Sequence, residues 1–421
     1  MNILWITNIT FPEAQALLTG EGSLKASGGW LLGAASALVD LPDVKLTVAS
    51  LSPKVKRLTL ISGEKITYYI LPYGKGNHKI NRNYELLWKQ VRDAVKPDIV
   101  HIHGTEYTQG LAYVEACGSN NVCVSIQGLV SVYSRYYYYG FSRTDIHLSV
   151  TPASFARGGI LSGYRDFVRR GEYEKELLRK INHIIGRTTW DQSHAWAINP
   201  NAQYYHGGET LRSVFYSGDI WNYERCIQHR IFLSQGGVPL KGLQQVLRAL
   251  PLVLRHYPDT TLCIAGKDIV SLNNWRDYLS FSDYGRLIRK IIKKNKLQEH
   301  VRFLGYLDGE EMRREYLHCN VFICPSSIEN SPNSLGEAQL LGVPVLASYV
   351  GGNMDMMSGD EGHLYRFEEF EMLANKIVGL FDSQDSINTE KMRVVALKRH
   401  DPQKNLKELM GIYMNICYSG K

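Results

Sequence analysis

Val321-Phe322-Ile323-Cys324, then Pro325-Ser326-Ser327-Ile328-Glu329-Asn330-Ser331-Pro332-Asn333-Ser334-Leu335-Gly336-Glu337-Ala338, then Gly342-Val343-Pro344-Val345-Leu346-Ala347 is the stretch whose reading decides the fold. The apolar run 321–324 suits a short buried strand. Ser331-Pro332 reads as an N-cap followed by the first helical residue. Gly342 and Pro344 close a helix of about three turns. Val345 to Ala347 is a second buried strand, ending before Gly351-Gly352. A strand–loop–helix–strand unit belongs to a parallel sheet. Such sheets take ligands beyond the carboxyl ends of their strands. The loop carrying Glu329 lies there, and Glu337 follows in the early helix.

A helix start offers N–H groups and a partial positive charge, which suit a phosphate. Pro332 has no N–H, so Asn333 and Ser334 are the backbone donors. A carboxylate accepts two hydrogen bonds from a vicinal diol, so two glutamates beside a phosphate site point to a sugar nucleotide. Taken alone, Glu329 fits a solvated loop residue equally well, and Glu337 a residue complementing the helix dipole.

Glu329, seven residues, Glu337, with Pro-Ser before them and Gly-Val-Pro-Val and Gly-Gly after, resembles the E-x7-E signature of retaining glycosyltransferase family 4, the group 1 transferases. The resemblance implies that Glu329 is catalytic and faces the donor sugar, and that Glu337 holds the ribose hydroxyls. The family's Gly-Phe-Gly after the first Glu is here Asn330-Ser331-Pro332.

Other stretches follow the same family in order. Gln235-Gly236-Gly237-Val238-Pro239-Leu240-Lys241-Gly242 resembles G-R-x4-K-G. Lys241-Gly242 matches, while Gln235 and Gly236 stand in the region of the missing Arg. The resemblance implies that Lys241 clamps the donor diphosphate, which is worth roughly 1.5–3 kcal/mol for one charged hydrogen-bond donor. Val350-Gly351-Gly352-Asn353-Met354-Asp355 resembles G-G-x-x-E, with Asp for Glu. Tyr306, after the strand 301–304, falls where the family packs the nucleobase. Gly28-Gly29 opens a helical pattern. A simple turn explains paired glycines, and so does close backbone approach to a ligand. The family places such a pair against the donor diphosphate.

Pro97-Asp98-Ile99-Val100-His101-Ile102-His103 is similar to the family's P-D-x-V-H-x-H. His101 and His103 share one strand face. His101 is read as structural. His103 and Glu106 fit either acceptor-side lining, with His103 catalytic, or satisfied core positions. Gln127 stands where many family members carry a His. It can hydrogen-bond a donor hydroxyl but carries no charge, which excludes direct proton transfer by this side chain. The resemblance implies that the donor phosphate itself acts as base.

The chain has 421 residues, enough for two domains, and its 44% hydrophobic and 21% charged residues exclude a disordered chain. No apolar stretch approaches a membrane span. The first strand, Ile3 to Thr7, follows no basic leader, so a signal peptide is not expected. The seven cysteines lack metal-ligand spacing, which predicts reduced thiols in a cytoplasmic protein. A net charge of +7 suits anionic ligands or an anionic membrane surface. It is too mild for nucleic acid, and no nucleic-acid motif is present.

Strands are expected at 44–49, 66–71, 122–126, 231–234, 261–265 and 301–304, and 184–191 reads as a strand running into a loop. Helices are expected at 84–95, 243–254, 286–296, 371–381 and 405–416. Residues 131–175 carry Tyr133, Tyr136 to Tyr139 and Phe141, then Arg157, Arg165, Arg169 and Arg170. Such a segment fits a membrane interface, a pyrophosphate grip, or a packed helical subdomain with a solvated basic face. Arg187 fits either a reach towards the ligand or a pair with Asp191.

The expected fold is α/β of GT-B architecture, with two Rossmann-like domains facing across a cleft. Residues 1–213 form the acceptor-side domain, 214–402 the nucleotide-sugar domain, and 403–421 a helix returning to the first. The expected function is retaining transfer of a sugar from a nucleotide diphosphate donor to a hydroxyl acceptor, in cell-surface polysaccharide or glycolipid synthesis. No metal and no cofactor beyond the donor are expected. The acceptor is either a lipid-linked glycan, reached by peripheral contact with the cytoplasmic membrane face, or a soluble molecule. The alternative is a nucleotide-sugar-binding protein of the same fold with little or no turnover.

Overall fold

Buried parallel strands show no polar alternation, because both of their faces meet helices. Asn2–Thr7 (β1) obeys this rule, with Ile3, Leu4, Trp5 and Ile6 all fully buried. The computed structural model describes residues 1–20, 29–73, 82–272, 275–359, 363–383 and 389–419. Among them β1 is followed by Lys45–Ser52 (β2), Thr59–Ser62 (β3), Thr67–Pro72 (β4), Ile99–His103 (β5), Val122–Ser125 (β6), His183–Gly186 (β7) and Gln203–His206 (β8). These form one sheet in the order β3-β4-β2-β1-β5-β6-β7-β8. All neighbours are parallel except β3 on β4, an antiparallel edge pair.

The second sheet comprises Arg230–Leu233 (β9), Thr261–Ile264 (β10), Val301–Phe303 (β11), Val321–Cys324 (β12), Val345–Ser348 (β13) and Leu364–Tyr365 (β14). Its order is β11-β10-β9-β12-β13-β14, parallel throughout. The helix Leu243–Val253 covers it with Leu243, Val246, Leu247, Leu250 and Val253, all fully buried. Each such side chain contributes about 1.5–3 kcal/mol relative to exposure.

The chain divides into two compact units. One is Met1–Val132, Val168–Arg212 and Arg399–Lys421; the other is Tyr133–Phe167 and Ser213–Lys398. The expected boundary at 213 needs one correction, because residues 133–167 belong with the second unit. Ile146 and Ile160 sit in that unit's core. Gln244 Nε2 donates to Tyr139 O at 3.0 Å, and Arg248 Nη2 to Gly140 O at 2.7 Å. Tyr137 packs on Phe167, Tyr138 on Tyr164, Tyr139 on Phe367 and Phe141 on Tyr284. The aromatic cluster is thus mostly internal packing rather than a membrane belt.

The terminal helix Pro402–Ser419 belongs to the first unit and places Ile412, Tyr413 and Ile416 in its core. Trp5 Nε1 donates to the Tyr413 hydroxyl at 2.9 Å, and that oxygen lies 2.6 Å from His101 Nδ1. His101 Nε2 is 2.5 Å from Ser125 Oγ. Both ring nitrogens are therefore engaged in a buried chain of hydrogen bonds, which fixes this histidine as structural.

Two local expectations change. Both concern the helix after β12; elsewhere, residues Pro12–Thr19 form a further helix, with Pro at the first turn and a left-handed Gly20 ending it. Pro332 rather than Ser331 is the N-cap of the helix Asn333–Leu340. Ser331 Oγ turns to Met356 Sδ instead. At eight residues that helix has about two turns rather than three.

Candidate functional site

Strands β9 and β12 are paired neighbours, with Val321 opposite Ile231 and Phe322 opposite Phe232. The loops leaving their carboxyl ends therefore run side by side, and they bring Lys241 and Glu329 together. Lys241 closes the short turn Pro239–Lys241, and Gly242 follows at φ +71°. A Cβ on Gly242 would lie 1.7 Å from Pro325 O, so only glycine lets the two loops touch. Lys241 Nζ is 2.5 Å from Glu329 Oε1. Ser326 Oγ donates to the same oxygen at 2.7 Å.

Burial opposes the charge on Lys241, but the Glu329 carboxylate outweighs it and holds the amine above its ordinary pKa. Lys241 is therefore a cation at neutral pH. Its ammonium has three donors, and Glu329 engages one. From the other side, Gly352 N donates to Glu329 O at 3.1 Å. Gly351, at φ +51°, stands where a Cβ would meet that carbonyl at 1.9 Å. The Gly351-Gly352 pair thus pins the Glu329 loop against Lys241. Ser327 N donates to Leu240 O at 2.8 Å, and Ser327 Oγ to Tyr136 O at 3.1 Å, which ties in the 133–167 segment.

Glu337 is buried in the helix Asn333–Leu340. The Tyr316 hydroxyl lies 3.3 Å from Glu337 Oε2 and 3.0 Å from Ser334 O. Asn333 and Ser334 occupy the first turn, whose N–H groups lack intrahelical acceptors. Gln235 is exposed in the loop after β9. Tyr306 is exposed after β11, two strands from β9. Asp355 lies in the short helix Asn353–Met356. Ser326 stands out in the sequence only as the Ser of Pro-Ser. Tyr316, from the helix Gly309–His318, carries no sequence signal.

In the first unit, His103 ends β5 as a buried residue. Its ring centroid is 4.3 Å from Trp5 and 3.8 Å from His101. Burial, then His101 and Arg187, hold its pKa well below the ordinary value. It is neutral at neutral pH, so it is no cationic acid. Arg187 donates to Ile126 O at 2.9 Å and to Glu209 Oε1 at 3.1 Å. Its guanidinium thus pairs with Glu209; Asp191 instead accepts the Arg187 backbone N–H at 2.9 Å. His103, Arg187, Glu209 and Asn405 share a cavity of about 80 Å³. Glu106 accepts from Asn8 Nδ2 at 3.0 Å, and burial raises its pKa. Arg170 is buried and donates to Glu106 O. Gln127 is half-buried just beyond β6. Gly29 begins the helix Gly29–Val39, whereas Gly28 lies outside the described residues.

Residues 229–408 match the family model described as "Glycosyl transferases group 1". That segment, rather less than half of the 421-residue chain, is similar to the group 1 glycosyltransferases. The match spans every element of the Lys241–Glu329–Glu337 arrangement. A phosphatidyl-myo-inositol mannosyltransferase from Mycobacterium leprae is 26% identical over 247 residues. That alignment covers 56% of this chain and 61% of the relative, so it leaves more than a third of the relative unmatched. Sucrose-phosphate synthase from Thermosynechococcus elongatus superposes with TM-score 0.64 at 16% identity, over 98% of this chain and 96% of that one. HepE from Anabaena, in complex with UDP and glucose, gives 0.65 at 15% identity, over 98% of both chains. Likeness at such identity establishes the fold alone, the GT-B type.

Proposed function

We propose that this protein is a glycosyltransferase that moves a sugar from a nucleoside diphosphate sugar to a hydroxyl acceptor, with retention at the anomeric carbon. The observation that carries the reading is the Lys241–Glu329 contact at the carboxyl edge of the second sheet, with Glu337 on the helix that follows. Lys241 meets the diphosphate, together with the N–H groups of Asn333 and Ser334. Glu329 takes the donor-sugar hydroxyls and Glu337 the ribose diol. Gln235 and Tyr306 flank the nucleotide. The bond from the anomeric carbon to the phosphate oxygen breaks, and negative charge grows on the leaving oxygen, where the fixed Lys241 cation lowers the barrier. The acceptor oxygen bonds to the same face of the carbon, and its proton passes to the leaving phosphate. His103, buried and held neutral, supplies no proton in this reading. The donor charge is met by these groups, so the reading contains no metal.

The relative named as a phosphatidyl-myo-inositol mannosyltransferase supports a lipid-linked or glycan hydroxyl as acceptor. The UDP and glucose in the HepE structure put uridine-linked donors first in the screen. The test is release of nucleoside diphosphate and free sugar from uridine-, guanosine- and adenosine-diphosphate sugars, with Lys241→Ala as control. Turnover of one donor that the variant loses is the expected result. Tight nucleotide binding without release from any donor, with or without glycolipid acceptor, overturns transfer in favour of a binding protein.

A further inference from the structure

The second unit carries an exposed apolar patch beside its most basic helix, and neither is used in the transfer chemistry. Between the short helices Arg143–Leu148 and Pro152–Arg157, Leu148 is 68% exposed, Val150 47% and Phe155 87%. The helix Pro152–Arg157 packs against the helix Trp275–Ser280, which adds Trp275 at 68% and Leu279 at 51%. Thr151 Oγ1 donates to Phe281 O at 2.6 Å, and Ile160 N to Asp283 Oδ2 at 2.6 Å. These bonds lay the segment along the start of the helix Asp283–Lys294.

That helix is amphipathic by charge. Tyr284, Leu287, Ile288 and Ile292 face the core. Arg286, Lys290, Lys293 and Lys294 face outward, and its acid, Asp283, is buried on the segment's backbone. Arg286 Nη1 donates to Val150 O at 3.0 Å, which places a cation directly beside the apolar patch. Lys290 lies 3.9 Å from Asp145, and both line a groove of about 500 Å³ together with Lys294. Apolar side chains held out in water beside outward cations mark an interaction surface. Two copies of so basic a face repel each other, so charge complementarity selects an anionic partner.

We propose that this face, Leu148, Val150, Phe155, Trp275 and Leu279 with Arg286, Lys290, Lys293 and Lys294, docks the protein on an anionic lipid bilayer. The apolar side chains enter the headgroup boundary, and the cations meet lipid phosphates. Among the described residues no helix is long and apolar enough to cross a membrane, so the contact is peripheral. The inference does not rest on the transfer reaction, because its readout is binding alone.

The experiment is co-sedimentation of the full chain with vesicles of phosphatidylcholine and of phosphatidylcholine with phosphatidylglycerol. Binding is expected only to the anionic vesicles, and it falls with added salt. Lys290→Gln and Lys294→Gln each lower the partition coefficient roughly fivefold. The double variant Leu148→Ser, Phe155→Ser lowers it at low salt as well, while nucleotide binding is unchanged. Arg179→Gln, an exposed cation of the first unit, leaves it unchanged. No binding to anionic vesicles at low salt overturns the proposal. So does an equal loss in Arg179→Gln, or a vesicle-independent dimer that the double serine variant dissolves.

Discussion

Lys241 and Glu329 neutralise each other across 2.5 Å, so a diphosphate arriving at Lys241 also meets a nearby carboxylate. Lys241→Ala removes the attraction and leaves the carboxylate, so nucleoside diphosphate affinity should fall at least tenfold, given roughly 1.5–3 kcal/mol for a charged hydrogen bond. Adding Glu329→Gln removes the leftover repulsion and should restore part of that affinity, as expected for contacting residues. Calorimetry measures the cycle, and a double variant no better than the single one refutes the coupling. Glu337→Ala should weaken nucleotide binding with little loss of fold, because Tyr316 retains Ser334 O at 3.0 Å; unchanged affinity rejects the ribose role. In the first unit, Arg187 compensates the buried Glu209 carboxylate at 3.1 Å. Arg187→Met should cost about 3–5 kcal/mol, the usual result of stranding a buried charge. Burial already raises the Glu209 pKa above 4.5, and Arg187 pulls it down. A raised carboxylate pKa is a penalty absent below the unfolded value that grows as pH rises. The variant should therefore lose stability with rising pH more steeply than the parent, starting near pH 4.5. Urea melts across pH check the sign, and parallel slopes contradict it.

At the level of elements, legibility follows burial. Strand β12 is readable to the residue because Val321–Cys324 is uniformly apolar between Asn320 and Pro325. The helix Leu243–Val253 is readable because its buried positions recur at helical spacing. The helix Pro12–Thr19 buries only Ala14 among its residues, and Glu390–Arg399 only Met392 and Ala396, so neither prints a clear apolar stripe. The two-residue β14 is too short for any pattern. The site is legible as motifs but not as contacts. Lys241 and Glu329 lie 88 positions apart, and their meeting depends on β9 and β12 being neighbours, which no local pattern states. The glycines make that meeting testable. Gly242→Ala and Gly351→Ala each put a Cβ under 2 Å from a carbonyl oxygen at positive φ. The backbone conformation alone costs about 1–2 kcal/mol, and the clash adds to it. Both should lower the urea midpoint and abolish nucleotide binding. At Gly237 an added Cβ would meet nothing within 4 Å, so Gly237→Ala should change stability by no more than about 0.5 kcal/mol. Equal effects at all three positions would show that loop contact is not what these glycines serve.

At the scale of the molecule, sequence order and structural membership part company. Residues 133–167 leave the first unit's sequence to join the second, and 399–419 return to the first. An aromatic run alone cannot reveal this, because its own backbone carbonyls accept hydrogen bonds from side chains distant in the sequence. Gln244 reaches Tyr139 O, Arg248 reaches Gly140 O and Ser327 reaches Tyr136 O. Those donors stand on the same loops and helix that carry Lys241 and Glu329. A ligand that orders these loops should therefore also steady residues 136–141, although they lie about a hundred positions away in the chain. Local opening is governed by the contacts a segment makes, and ligand binding raises its free energy in proportion to affinity, by about 2.7 kcal/mol at a hundredfold excess over Kd. Hydrogen-exchange mass spectrometry with and without nucleoside diphosphate reads this directly. Peptides over 239–245, 326–337 and 136–141 should slow together, while those over 109–117 in the first unit should not change. Protection at 239–245 and 326–337 with none at 136–141 would mean that the tyrosine segment is only attached to the nucleotide loops and does not share their stability.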